Sequence, residues 1–307
     1  MKRTNYRCPI LLFSAALIWG TAFVAQSLGM DHIGPFTFKS VRNFIASAAL
    51  VPVILFLRRR QNPAKAAGAA GNYRKTLWLG GILCGLALGA ASSLQQIGIQ
   101  YTTVGKAGFL TALYIVMVPI LGLFFRKKVP VAVWISVVIA ALGTYLLSIQ
   151  EDLTIGTGDL FVILCAVVFS VHILLVDHFS PLVSGVELSS IQFLVSGVLC
   201  TLAAFIAETP NLQDILLSMG PILYTGLMSS GVGYTLQIIG QKDTPPTIAS
   251  LIMSLESVFA ALSGWLILGQ SMSSREALGC ALVFAAVILA QIPFAALKER
   301  LARKKGA

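Results

Sequence analysis

Runs of about 20 apolar residues follow one another along almost the whole chain, and each is long enough to cross the hydrocarbon core of a bilayer as a helix. The links between these runs are short, so a sizeable soluble domain does not fit between them. The sequence therefore predicts an all-α integral membrane protein with about ten transmembrane helices. The predicted spans are 9–29, 36–57, 76–99, 104–125, 130–150, 158–179, 186–207, 216–240, 246–268 and 275–297.

The composition agrees with a surface that faces lipid. Of the 307 residues, 57% are apolar and only 11% are charged, whereas a soluble protein carries roughly 25% charged residues. With so few charges, a soluble fold is excluded.

The lysine and arginine residues are divided unevenly between the predicted loops. Alternate loops share a side of the membrane, and one side, which includes both termini, holds 18 of the 22 basic residues. Basic residues concentrate in cytoplasmic loops, so we predict that both termini are cytoplasmic. The net charge of +10 is thus explained by topology and contact with the lipid bilayer, and no nucleic-acid partner is expected.

The two halves of the chain resemble each other at a fixed offset. The pattern Leu-Gln-x-Ile-Gly occurs at 94–98 and again at 236–240, which is an offset of 142 residues, and Thr102 meets Thr244 at the same offset. The series of matches continues without a gap over some 35 residues. The sequence therefore predicts an internal repeat.

The repeat divides the chain into residues 1–150 and 151–307, with five predicted helices in each half. An odd number of helices inverts the second half relative to the first. Inverted repeats are common in secondary transporters, which bind their substrate at the interface of the repeats. A small-molecule transporter with alternating access is therefore the predicted function.

Four stretches also resemble a known family. They are Trp19-Gly20, Arg42-Asn43-Phe44, Tyr101–Ala107 (YTTVGKA) and Val258–Gln270 (VFAALSGWLILGQ). With these stretches the chain resembles the drug/metabolite transporter superfamily, EamA type, over nearly its whole length. The resemblance implies ten helices in two inverted five-helix repeats that move metabolites across the plasma membrane. The chain departs from the family pattern at Gln270, where Glu is usual, at Ser257, where Pro is common, and at Pro119, which lies about four residues past the matching place.

Glu256 is the deepest charged residue of the predicted spans. It lies about ten residues into its helix, which places it about 15 Å deep at 1.5 Å per residue. A charge at such a depth costs about 2.5–3.5 kcal/mol on insertion scales and is a candidate for function. Glu256 could contact a substrate amine or carry a proton, and the alternative is a structural hydrogen bond between helices.

Three basic residues also fall within predicted helices. Lys39 and Arg42 lie three residues apart on one helix face, about 5–10 Å from its outer end, and Lys106 enters its helix from the same side. Together they could attract anions to an outer vestibule. The alternative is that they extend to the membrane interface, which is harder for Arg42 than for the two lysines.

Three glutamines are candidates for gating. Gln95 and Gln237 correspond in the repeat, so we expect them near opposite membrane faces, where symmetric polar groups would suit paired gates. A shorter match at an offset of 150 residues pairs Arg42 with Gln192. The alternative is that all three glutamines join helices by hydrogen bonds.

Two aromatic residues are candidates for substrate binding. Tyr114 corresponds to Glu256 at the offset of 142 residues and should lie at a similar depth. Trp19 lies in mid-helix, away from the interface where Trp is usually found. Either ring could stack on a substrate, and core packing is the alternative.

Gly81, Gly85 and Gly89 form a GxxxGxxxG pattern in the third span. Small residues at this spacing let two membrane helices approach closely. The pattern predicts packing against another helix.

No motif of an enzyme or of an ATP-driven pump occurs in the sequence. His172 and His178 are six residues apart and do not share a helix face, so we expect no catalytic residue, no metal site and no cofactor. Basic groups near the outer side and a central carboxylate would suit a zwitterion or organic anion, such as an amino acid. Proton coupling, exchange and a homodimer remain open. A channel or receptor is the alternative function, followed by a membrane-embedded enzyme.

Overall fold

The computed structural model describes residues 7–60, 70–102, 104–124, 129–148, 156–268 and 272–292, and within these ranges the chain is nearly all helical and contains no strand. The helices in chain order are α1 (Arg7–Leu28), α2 (Pro35–Arg60), α3 (Ala70–Tyr101), α4 (Val104–Ala112), α5 (Tyr114–Phe124), α6 (Val131–Ser148), α7 (Thr157–Phe179), α8 (Gly185–Ala207), α9 (Leu212–Leu217), α10 (Met219–Tyr224), a π-helical segment (Thr225–Tyr234), α11 (Thr235–Gln241), α12 (Pro246–Met253), α13 (Leu255–Leu268) and α14 (Ser274–Gln291).

These helices confirm the predicted all-α membrane fold. Among the described residues, eight helical stretches are long and apolar enough to cross a bilayer, and Val131–Leu147 is a shorter apolar helix. The predicted span 216–240 is found as a chain of short pieces, α9 to α11, with the π-helical segment at its centre. Gln270 and the links 61–69 and 151–155, which bear on the family pattern and on the predicted orientation, lie outside the described residues.

The surface of the bundle is apolar and its interior contains the polar residues. Large apolar side chains such as Phe124, Phe205 and Ile206 are between 73% and 87% exposed, whereas Lys39 and Glu256 are at most 5% exposed. This distribution is the reverse of that in a soluble protein. It is expected for a chain whose outer face contacts lipid.

Helices at corresponding places in the two halves pack against each other. The second helix of the first half, α2, pairs with α8, and the last, α6, pairs with α14. The Ser47 hydroxyl donates to the Ser190 carbonyl over 2.9 Å in the first pair. In the second pair the backbones approach so closely that a Cβ on Gly279 would lie 2.7 Å from the Gly143 carbonyl oxygen. Such pairing of equivalent helices is expected near an approximate two-fold axis.

The α2–α8 pair is joined at both ends by carboxylates. At one end, Glu208 accepts hydrogen bonds from the backbone N–H groups of Phe36 (2.7 Å) and Thr37 (2.9 Å) at the start of α2. At the other end, Glu187 at the start of α8 accepts from Arg58 Nε over 2.7 Å. Thr37 and Glu187, like Arg58 and Glu208, are 150 residues apart in sequence. The two contacts are therefore equivalent by position in the two halves, although their chemistry differs.

Two helices of the bundle are interrupted at mid-length. One interruption, at Leu113, separates α4 from α5, and the other, at Ser254, separates α12 from α13. The Ser254 hydroxyl donates back to the Leu251 carbonyl over 2.7 Å, which is a local bond that competes with regular helix geometry. The next residues along the chain are Tyr114 in one case and Leu255 and Glu256 in the other, so both interruptions lie beside candidate functional residues.

Candidate functional site

A cavity lies between the helices of the two halves, at the level of the interruptions. It contains about 490 Å³ of space that is not filled by atoms, a figure that includes its opening to solvent. Its wall contains six of the residues that the sequence singled out, namely Trp19, Arg42, Gln95, Tyr114, Gln237 and Glu256.

Glu256 and Tyr114 form the acidic part of the cavity. The Tyr114 hydroxyl donates to Glu256 Oε1 over 3.0 Å, and both residues are at most 5% exposed. The two residues correspond to each other in the repeat, so equivalent positions of the two halves meet here. Glu256 therefore faces the cavity, as its depth in the sequence suggested.

Arg42 forms the basic part of the cavity. Its guanidinium donates from Nε to Ser230 Oγ (2.7 Å), from one terminal nitrogen to Gln26 Oε1 (3.0 Å) and from the other to Ser229 Oγ (3.1 Å). Lys39 Nζ donates to the same Gln26 oxygen over 3.1 Å. No carboxylate of the described residues forms a salt bridge with either cation.

An aromatic wall adjoins the basic part. The Trp19 indole N–H donates to the Ser229 carbonyl over 3.0 Å, which ties α1 to the π-helical segment. The Trp19 ring lies 4.7 Å from that of Tyr234, and the His172 ring lies 6.0 Å from Tyr234. Phe169 completes this side of the cavity. The rings can contact the apolar part of a bound molecule.

Two buried polar atoms of the cavity residues have no hydrogen-bond partner among the described residues. They are Gln237 Oε1 and His172 Nδ1, whereas Gln237 Nε2 donates to Gln241 over 2.9 Å. Buried polar atoms are usually paired. An unpaired acceptor on the wall of a cavity is therefore suited to a donor group of a bound molecule.

Gln95 and Gln237 line the same cavity, whereas we expected them near opposite membrane faces. Gln95 Nε2 donates to Thr111 Oγ1 over 3.1 Å. Gating by these two residues stays a prediction.

Three of the predicted site residues are not on the cavity wall. Lys39 lies behind Arg42 and is only 1% exposed, so it does not extend to the membrane interface. Lys106 forms a 2.6 Å ion pair with Asp159 and is not in the basic cluster of Lys39 and Arg42. Gln192 Oε1 lies 3.1 Å from His172 Nε2 and contacts the wall residue from behind.

Several cavity residues were missed at the level of sequence. Phe23 and Gln26 follow Trp19 at i+4 and i+7, which places all three on one helix face, and this spacing could have identified them. His172 follows Phe169 at i+3, but we considered it only with His178, as a metal pair. Nothing in the sequence indicated Ser229 as a cavity residue, because its position depends on the π-helical segment.

The described residues contain no group of three or more His, Cys, Asp or Glu side chains that could hold a metal ion. The carboxylate of Glu256 and the imidazole of His172 are the groups of this kind on the cavity wall.

Comparison with known proteins identifies the family. Residues 7–149 and 156–291 each match the model of the EamA-like transporter family. The chain belongs to this family. An uncharacterized transporter of Archaeoglobus fulgidus is 30% identical over 281 residues, which cover 90% of this chain and 83% of the relative.

Other members agree over similar lengths. The uncharacterized transporter YoaV of Bacillus subtilis is 24% identical, over 94% of this chain and 97% of its own length. The uncharacterized inner membrane transporter YedA of Escherichia coli is 23% identical, over 91% and 88%. A solved crystal structure with 18% identity covers 97% of this chain and 99% of its own, with a TM-score of 0.74. At that identity it supports the fold alone. The protein is thus a multi-pass membrane protein of a transporter family, and these three relatives are named as transporters rather than as enzymes.

Proposed function

We propose that this protein is a secondary-active transporter of a small zwitterion or organic anion, such as an amino acid, in the plasma or inner membrane. The observation that supports this substrate class is the distribution of donors and acceptors around the cavity. Arg42 supplies hydrogen-bond donors and a positive charge, while Glu256 and Gln237 supply acceptors. A molecule with an anionic group and a donor group can satisfy both.

Alternating access is the proposed mechanism. The pairing of α2 with α8 and of α6 with α14 supports a symmetric relation between residues 1–150 and 151–307. Two inverted halves of similar structure can exchange conformations, and the exchange converts a cavity open to one side into a cavity open to the other. Substrate bound between the halves would then cross without a continuous pore.

Counterflow in proteoliposomes tests the transport proposal. Vesicles containing the full chain are loaded with an excess of one unlabelled compound, and entry of the labelled compound is followed. The compounds are the common amino acids and a set of small mono- and dicarboxylates. We expect saturable accumulation of at least one of them in vesicles with protein and none in empty vesicles. Flux that rises linearly with concentration would indicate a channel, and absence of counterflow for the whole set would contradict the proposal.

A further inference from the structure

We propose that Arg42 and Ser229 form a carboxylate-binding subsite on one side of the cavity, in which Gln26 Oε1 accepts a hydrogen bond from the guanidinium and helps to orient it. The inference rests on the proposed transport function, because it names the chemical group by which the transported molecule is held.

The first support is the number of donors that Arg42 keeps available. A guanidinium has five N–H groups in a planar fork. Each of its three nitrogens donates one hydrogen bond, to Ser230, Gln26 and Ser229. Two of the five N–H groups therefore have no acceptor among the described residues. Arg42 is on the cavity wall, so these groups can reach a molecule in the cavity. A carboxylate matches the fork with its two oxygens.

The serine hydroxyls add further donors. Ser229 Oγ and Ser230 Oγ each accept a hydrogen bond from Arg42, so each hydroxyl hydrogen points away from the guanidinium and can be donated elsewhere. Ser229 is on the cavity wall, and its backbone carbonyl accepts a 3.0 Å hydrogen bond from the Trp19 indole N–H, which fixes its position. A bound carboxylate can thus receive hydrogen bonds from Arg42 and Ser229 together.

Charge is the second support. Lys39 and Arg42 both donate to Gln26 Oε1, over 3.1 and 3.0 Å, and this amide oxygen is neutral. A guanidinium stays protonated in proteins. A buried cation without an anionic partner is unfavourable, and within the described ranges no acidic residue forms a salt bridge with Arg42 or Lys39. A carboxylate from the cavity would supply the missing negative charge.

The location within the cavity fixes the orientation of the ligand. Glu256 is bonded to Tyr114 rather than to Arg42, so the acidic and basic parts of the wall are not paired with each other. The carboxylate of a bound molecule therefore lies toward Arg42, its apolar part can contact Trp19 and Tyr234, and a cationic or donor group can face Glu256.

A binding assay on the purified full chain tests the subsite without requiring transport. Thermal unfolding is measured in detergent with matched pairs of probes: benzoate and benzamide, phenylacetate and phenylacetamide, succinate and succinamide, and phenylalanine and phenylalaninamide. A ligand that binds the folded protein raises its unfolding temperature in a concentration-dependent way. We expect at least one carboxylate to do so, and its amide to bind roughly tenfold or more weakly, as expected when charge-assisted hydrogen bonds are lost.

Variants assign the effect to the subsite. Arg42→Gln should weaken carboxylate binding by a similar factor, because it removes the charge and the fork. Arg59→Gln, an identical change at an exposed position of α2, should leave the binding unchanged. If Arg42→Gln does not fold, two other measurements test the subsite. Ser229→Ala should weaken carboxylate binding, and the wild-type protein should bind the acid more tightly than the amide.

Four results would overturn the subsite. On the wild-type protein they are equal binding of carboxylates and amides, no binding of any carboxylate in the set, and stabilisation by inorganic phosphate in place of the carboxylates. On the Arg42→Gln variant, the result would be full carboxylate binding. The assay also separates this inference from the transport proposal. Carboxylate binding without counterflow would contradict transport and leave the subsite intact. Counterflow of amides as fast as that of acids would leave transport intact and contradict the subsite.

Discussion

Arg42 and Lys39 lie one helical turn apart on α2 and share the Gln26 oxygen, but only Arg42 is on the cavity wall. From the sequence we expected Arg42 to matter more because it lies deeper. The structure shows that both are almost fully buried, with 4% of Arg42 and 1% of Lys39 exposed, so burial does not distinguish them. Contact with the cavity distinguishes them, because only Arg42 is on its wall.

We therefore expect Arg42→Ala to impair transport more than Lys39→Ala. Loss of charge-assisted hydrogen bonds to a ligand should reduce uptake by about tenfold or more, whereas Lys39 is not on the cavity wall and has no direct contact with a ligand to lose. Initial uptake rates are compared at equal amounts of folded protein, which is checked by size-exclusion chromatography. Equal losses in the two variants would show that the cluster acts as a structural unit.

Glu256→Gln should give a folded protein with reduced or uncoupled transport. The amide oxygen can still accept from Tyr114, which donates to Glu256 over 3.0 Å in the native chain, but the charge and the ability to titrate are lost. Wild-type uptake should vary with pH in a way that the variant lacks.

Tyr114→Phe is the matched control for Glu256→Gln. It removes the hydrogen bond to Glu256 and keeps the carboxylate, so uptake should keep its pH dependence even if the rate changes. Uptake against pH is measured for the three proteins. Identical profiles and rates for wild type and Glu256→Gln would make Glu256 a packing residue.

At this scale, the sequence identified the residues whose charge or size is unusual inside an apolar helix. Glu256 and Arg42 are costly in a membrane wherever they point, so their presence alone made them candidates for function. Gln26 is neutral and lies near the end of α1, so no unusual charge distinguished it in the sequence, and it was missed. Lys106 was included for its charge, but its partner Asp159 comes from another helix, and a pairing of this kind cannot be read from spacing.

At the scale of helices, the two ends of the α2–α8 pair should contribute unequally to stability. Glu208 accepts from two backbone N–H groups at the start of α2, which would otherwise lack an intrahelical partner. Arg58 is the equivalent residue at the other end, but its side chain is 61% exposed in the ion pair with Glu187. An exposed ion pair contributes about 0–1 kcal/mol, and a helix cap about 0.5–2 kcal/mol.

We expect Glu208→Ala to lower the free energy of unfolding by about 0.5–2 kcal/mol because it removes this cap. Arg58→Ala, its equivalent in the repeat, should lower it by less than about 1 kcal/mol. Thermal unfolding in detergent, at low and at high salt, measures both. A larger effect for Arg58→Ala would show that the ion pair, rather than the cap, holds the helix pair together.

The GxxxGxxxG pattern predicted close packing of α3, and the structure confirms it. A Cβ on Gly85 would lie 2.8 Å from the Gln192 carbonyl oxygen and 2.7 Å from Val195 Cβ, so α3 and α8 approach at this glycine. Gly85→Ala should therefore push the two helices apart, at a cost of about 1–3 kcal/mol, as for other overpacked sites. Gly108→Ala in α4 is the control, because no atom lies within 4 Å of the added carbon there, its own helix turn and chain neighbours apart. Equal thermal stabilities of the two variants would contradict close packing.

For the whole molecule, hydropathy predicted the all-α membrane fold and the approximate limits of the eight long apolar helices of the described residues, because every spanning segment must be apolar over a fixed length. It did not predict the interruptions at Leu113 and Ser254 or the π-helical segment. These depend on local hydrogen bonds such as that from Ser254 to Leu251 and on packing between the halves. Since the cavity forms beside them, its complete wall could not be predicted from the sequence alone.

The orientation in the membrane rests on the distribution of basic residues. We predict that Thr154, in the link 151–157, faces the outside and that Lys65 faces the cytoplasm, because 18 of the 22 basic residues lie on the side of Lys65. Cysteines at these two positions, labelled in intact cells with a membrane-impermeant maleimide, distinguish the two orientations.

Thr154→Cys should be labelled in intact cells, and Lys65→Cys only after the cells are permeabilised. Four of the five native cysteines are buried and Cys280 is half-buried, so the unmodified chain should react weakly and serves as the control. Each loop is reached from one side only, so labelling of Lys65→Cys alone in intact cells would reverse the predicted orientation. The Lys39–Arg42 end of α2 would then lie toward the cytoplasm, and the carboxylate subsite would be the first part of the cavity to meet a substrate leaving the cell rather than one entering it.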